Sequence, residues 1–139
     1  MKKIILLLAI GFAAFTANAQ KGTAPLVVPA GTKATLAKLY PTAATTATWT
    51  KSTGNNVQAD FINEGVPTTV IMGPNYNFLS SEVPVKVAEL PKGAADFCSG
   101  KSVSKTSKIT SFKGIVTYKV VADAEYVFDK DGKMIPKTK

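Results

Sequence analysis

Apolar residues recur along this chain in two rhythms, one helical and one of strict alternation. Leu36, Leu39 and Tyr40 fall at i, i+3 and i+4, which predicts a helix over residues 30–40 with one apolar face. Pro29 suits the first turn of that helix, and Pro41 stops it. Val57, Ala59 and Phe61 alternate with Gln58 and Asp60, the pattern of a strand with one buried face. Residues 68–72 are β-branched and strand-like, Phe78-Leu79 begins a short return, and the end of the Thr- and Ala-rich run 43–51, around Trp49, reads as one more strand. Gly54-Asn55-Asn56, Asn63-Glu64-Gly65 and Gly73-Pro74-Asn75 are turn signals between these pieces.

The second half follows the same plan. Leu90-Pro91 opens a helix on which Ala94, Phe97 and Cys98 share one face, and Ser99-Gly100 ends it. Residues 104–110 alternate weakly, 115–121 form the strongest strand pattern, 124–128 a further strand, and Met134-Ile135 the last return. Val28-Pro29 matches Leu90-Pro91, and the strand at Val57 matches that at Ile115. The two offsets differ by about one helical turn, so the first helix should be a turn longer. The expectation is an α+β fold, a tandem repeat of a short helix plus antiparallel strands, with the helices on one face of the sheet.

One short run invites a different reading. Asp129-Lys130-Asp131-Gly132 has the carboxylate spacing of a calcium loop. An EF-hand loop needs a helix on each side and a bidentate Glu at its twelfth position. Here strand-like pieces flank the run. Its counterpart in the first half, residues 73–77, fills the same slot without any carboxylate. Asp, Asn and Gly all favour tight reversals, so the run is read as a hairpin turn, and no metal site is expected.

The start of the chain changes the picture of where it works. Met1-Lys2-Lys3 is basic, residues 4–15 are apolar, and Ala17-Asn18-Ala19 supplies small residues before a cut. That is the layout of a secretory signal peptide over residues 1–19. Residues 20–25 read as a mobile N-terminal segment and 26–139 as the domain, with halves of about 26–84 and 85–139. No further apolar segment is long enough to span a membrane. Removing 19 of the 139 residues leaves 120, and losing Lys2 and Lys3 takes the formal charge from +8 to +6. A periplasmic or secreted location follows. The single Cys98 has no partner for an internal disulfide, and its place on the helix face predicts burial.

The residues that are missing exclude function classes. The chain has no His and no Arg. Without His there is no Ser-His-Asp or Cys-His arrangement and no His-built zinc site. Without Arg there is no forked reader of phosphates or guanine edges, so nucleic acid is not an expected partner. No Gly-rich phosphate loop is present. A Ser-Lys pair is not excluded by counting, but no spacing favours one. No enzyme activity, catalytic residue or cofactor is expected.

The signal peptide ending Ala-Asn-Ala-Gln, the two halves that each open on an apolar residue and Pro before a helix and strands, and the closing run YVFDKDGKMI together resemble the PepSY-like, beta-lactamase-inhibitor-like periplasmic proteins. The likeness covers Leu26 to Ile135. It rests most on Leu90-Pro91, Tyr118-Lys119-Val120 and residues 126–135, and the first half departs because its turn lacks the Asp-x-Asp-Gly form. The resemblance implies tandem helix-plus-sheet modules and a non-enzymatic protein of the export compartment. Shape does not carry a target with it.

Taken together, the sequence points to an exported binding protein, inhibitor-like in form, that takes a protein or peptide partner in the cell envelope on an exposed sheet face. Asp60, Thr117 and Lys119 occupy outward positions of their strands and Tyr76 an exposed turn, and these four are the candidate binding residues. Trp49 and Tyr118 could also be anchors, the alternative being packing in the core or at its rim, which is the favoured reading for Trp49. The +6 charge favours an acidic partner. The alternative is a structural or envelope-associated module with no specific soluble ligand.

Overall fold

The computed structural model describes residues 26–137. The predicted signal peptide and the segment 20–25 lie outside the described residues. Eight antiparallel strands form one sheet in which every strand pairs with its neighbour in sequence: β1 (Thr48–Lys51), β2 (Val57–Asn63), β3 (Val66–Met72), β4 (Phe78–Pro84), β5 (Lys105–Ser111), β6 (Val116–Val121), β7 (Glu125–Asp129) and β8 (Met134–Ile135). Helices α1 (Ala30–Leu39) and α2 (Ala43–Thr46) precede β1, and α3 (Lys92–Cys98) lies between β4 and β5. This is a mixed α+β architecture. A 3-10 turn at Val87–Glu89 and the short α2 were not visible as separate elements in the sequence pattern.

Strand register assigns each residue to a side of the sheet, because paired residues point the same way. On one side Ala59, Phe61, Val70 and Met72 pack under Leu36 of α1 and Ala43 of α2. On the same side Val120 and Phe128 pack under Leu90 and under Ala94 and Cys98 of α3. All helices therefore cover one face. The apolar stripe of α1 runs Thr32, Leu36, Tyr40 and not through Leu39, which is half exposed. A four-residue step keeps the stripe along one ridge of the helix, whereas Leu39 falls to its flank. Trp49 and Tyr118 are partly buried rims of the two cores, not free anchors. Cys98 is buried, and desolvation pushes its thiol pKa up, which favours the protonated thiol.

The two helices start against two alike turns. In the β3–β4 turn Gly73 N–H donates to Asn77 O and Tyr76 N–H to Gly73 O; in the β7–β8 turn Asp129 N–H donates to Lys133 O and Gly132 N–H to Asp129 O. Tyr76 and Gly132, at the same place in each turn, both have positive φ. The Cα of Gly31 in α1 faces the Tyr76 ring, and that of Gly93 in α3 faces the Gly132 carbonyl. The Asp129 carboxylate serves its own turn: Oδ1 accepts from the N–H groups of Asp131 and Lys133, both at 2.9 Å.

Candidate functional site

Among the described residues, no helix covers the sheet face opposite α1, α2 and α3. A single cross-strand row runs along it through Thr48, Asp60, Thr69, Glu82, Ile109, Thr117 and Asp129, each paired with the next. With strands about 4.8 Å apart, seven residues in a row span about 29 Å. The adjoining row holds Pro84, Ser107, Lys119, Val127 and Ile135. Three of the four residues singled out from sequence, Asp60, Thr117 and Lys119, thus share this face. All three are only partly exposed.

At its centre sits Glu82. Its Oε2 accepts from Lys119 Nζ at 2.7 Å, and its Oε1 accepts from Ser107 Oγ at 2.8 Å and lies 3.0 Å from Lys105 Nζ. The side chains of Glu82 and Lys119 are 19% and 16% exposed. Burial pushes the Glu82 carboxyl pKa up, but the hydrogen bonds from Lys119, Ser107 and Lys105 and the Lys119 charge outweigh it, so the net value falls below the ordinary one. The carboxylate is ionised at neutral pH and pins three strands together.

Asp60 differs. Its carboxylate accepts from Thr69 Oγ1 at 2.6 Å and Gln58 Nε2 at 2.8 Å. Among the described residues it has no ion pair with a lysine. Around both acids lie Ile71, Ile109 and Val127, β-branched side chains that are only half buried on this face. The site therefore combines apolar area, one carboxylate shared by two lysines and one carboxylate held in place by neutral donors.

The surroundings of two of the candidate residues were not visible in the sequence. Tyr76 is 47% exposed, but its ring rests on α1 at Gly31, on the helix side of the sheet. It does not join the other three residues. Lys119 is not a free cation for an acidic partner, because Glu82 neutralises it. The open face carries four carboxylates, Asp60, Glu82, Glu125 and Asp129, against two lysines, Lys105 and Lys119, a formal charge of −2. Among the described residues the surplus positive charge therefore lies on other surfaces.

Glu82, Lys105 and Ser107 were missed by sequence reasoning. The return at Phe78-Leu79 was read as two residues, whereas β4 runs seven, to Pro84. The alternation of Ser80, Glu82 and Pro84 was the available signal. What brings Glu82 to Lys119 is the β4–β5–β6 register, which joins residues 37 apart in sequence.

No family model matches the chain, and no curated protein matches it either. Solved structures do share its fold. A DUF2874 family protein from Bacteroides uniformis has a TM-score of 0.69 at 21% identity, covering 79% of this chain and 88% of that one. A Bacteroides eggerthii protein, provisionally described as periplasmic, has a TM-score of 0.70 at 18% identity over 81% and 89%. A BLIP-like protein from Bacteroides fragilis has a TM-score of 0.65 at 20% identity over 81% and 86%. These likenesses establish a BLIP-like fold, where BLIP is the beta-lactamase inhibitor protein.

Proposed function

We propose that this chain is an exported, non-catalytic binding protein that takes a protein or peptide partner on the open face of its sheet. The reading places it among the PepSY-like, beta-lactamase-inhibitor-like proteins, with a domain over 26–139 that follows a cleaved signal peptide and works in the periplasm or outside the cell. The domain is two tandem modules, one ending near residue 84. The matched turns at residues 73–77 and 129–133, each under the second residue of a helix, support that division.

The observation that carries the binding reading is the seven-strand row of partly exposed residues with Asp60 unpaired and Glu82 locked. A carboxylate held by Thr69 and Gln58 is pre-oriented for a cation. The half-buried Ile71, Ile109 and Val127 supply apolar area that no helix covers. The face fits a partner that places a Lys or Arg on Asp60 and apolar side chains beside it. Thr117 contributes contact area further along the row. Lys119 acts by holding Glu82 and so shapes the face without offering a charge.

The test is capture of envelope proteins by chemical crosslinking to wild type, Asp60→Lys and Tyr76→Ala. Asp60→Lys should lose the partner at least tenfold, while Tyr76→Ala, on the other side, should keep it. Retention by Asp60→Lys would remove this face from consideration. Absence of any partner for wild type would favour a structural module of the envelope.

A further inference from the structure

The end of the sheet that carries the β5–β6 and β7–β8 turns has a chemistry of its own. The β5–β6 tip presents Phe112 and Ile115, 61% and 59% exposed, on either side of Lys113-Gly114. Neither belongs to a core cluster, so packing gives no reason for them. The Lys113 ammonium lies 5.5 Å from the centre of the Phe112 ring. Beside the tip opens a cleft of about 550 Å³, lined by Ile115 and Val116 on one side and the β7–β8 turn on the other, with Lys108 and Lys130 among its walls.

Cations gather at this end. Lys51, at the foot of β1, and Lys133 join Lys108, Lys113 and Lys130 there. The facing acids are Asp129 and Asp131. Asp129 is engaged by backbone N–H groups and Asp131 by Lys130 at 2.9 Å. At the opposite end the β2–β3 and β6–β7 turns carry Glu64 and Asp123, with Lys101 after α3. Glu89 stands two residues before Pro91, which lies against the β7–β8 turn, and its carboxylate accepts from the Lys86 N–H. Asp96 of α3 is paired with Lys92. Exposed apolar tip and surplus positive charge therefore coincide at one end of the molecule. The chain also enters the fold at this end, since Gly31 stands against the β3–β4 turn.

We propose that the β5–β6 tip is a membrane-interface anchor for an anionic lipid surface. Phe112 and Ile115 enter the headgroup region, and Lys113 and Lys133 meet lipid phosphates, the Lys113 stem lying along the Phe112 ring. The sheet then stands edge-on to the membrane, with the open face free. This inference does not rest on the binding role proposed for that face, and either can fail alone.

The experiment is co-sedimentation of the chain from Gln20 onward, which contains both cores, with vesicles of phosphatidylglycerol and phosphatidylcholine, and with phosphatidylcholine vesicles alone. Wild type should bind the anionic vesicles and bind the neutral ones at least tenfold more weakly, with binding falling as salt rises. The double variant Phe112→Ser with Ile115→Ser should lose at least tenfold on anionic vesicles at an unchanged melting temperature. Lys113→Glu should lose at least threefold, which keeps the test open if the double variant fails to fold. Ile62→Ser, on a residue 58% exposed at the opposite end, should bind as wild type. Failure of wild type to bind anionic vesicles overturns the proposal. So does an equal loss in Ile62→Ser, or full binding by the double variant together with Lys113→Glu. Binding of poly-glutamate at the tip without vesicle binding would make it a protein site and overturn the lipid assignment.

Discussion

Glu82 shows how a single side chain sets the character of the uncovered face. Its folded pKa lies below the ordinary 4.5, so the stability it contributes is present above that pH and is lost as pH falls through the folded value. Glu82→Gln leaves Lys119 with a weaker partner and should cost about 1–3 kcal/mol at pH 7. Thermal melts from pH 7 to pH 3 should show the gap between wild type and Glu82→Gln closing below pH 4.5. A constant gap would mean that Glu82 contributes only through packing. The outward positions of Asp60, Thr117 and Lys119 were legible from alternation within their own strands. Their partners were not, because Lys119 meets Glu82 through two intervening strand pairings and alternation carries no register between strands. Tyr76 is exposed, as its turn position predicted, but its ring lies against a helical glycine on the helix side of the sheet, which a turn signal does not reveal.

At the scale of elements, the contact between α3 and the β7–β8 turn explains why a glycine stands second in α3, as the Tyr76 ring does for Gly31 in α1. A Cβ on Gly93 would strike the Gly132 carbonyl, and one on Gly132 would come within 2.7 Å of Gly93 N, at a residue whose φ is +83°. Gly93→Ala should therefore lower stability by about 2–3 kcal/mol. Gly54→Ala, with φ +69° but open space around it, should cost about 1 kcal/mol. Chemical denaturation of the two variants checks this, and an equal cost would show that the helix yields without strain. Strands β2, β3, β6 and β7 were legible because each has a two-residue period or a β-branched run between turn signals, whereas only the first two of the seven residues of β4 were read. The α2 turn was not, since Ala-Ala-Thr-Thr carries neither period. The Asp-Lys-Asp-Gly run was settled as a turn by its counterpart at 73–77, and its carboxylate geometry agrees.

At the scale of the whole molecule, charge is sorted. The open face is acidic by count, and the surplus lysines lie on the helix side and the sheet ends. Net charge alone pointed to an acidic partner, but a sum over the chain does not say which face bears it. Placement of a partner decides the account most directly. A photo-reactive residue introduced at Thr117, on the open face, and separately at Leu39, on the outer flank of α1, reports which side a partner touches. Crosslinked to the native envelope fraction and analysed by mass, Thr117 should trap one partner in stoichiometric yield and Leu39 should trap none. Trapping of the same partner from Leu39 and not from Thr117 would place binding on the helices and contradict the open-face account.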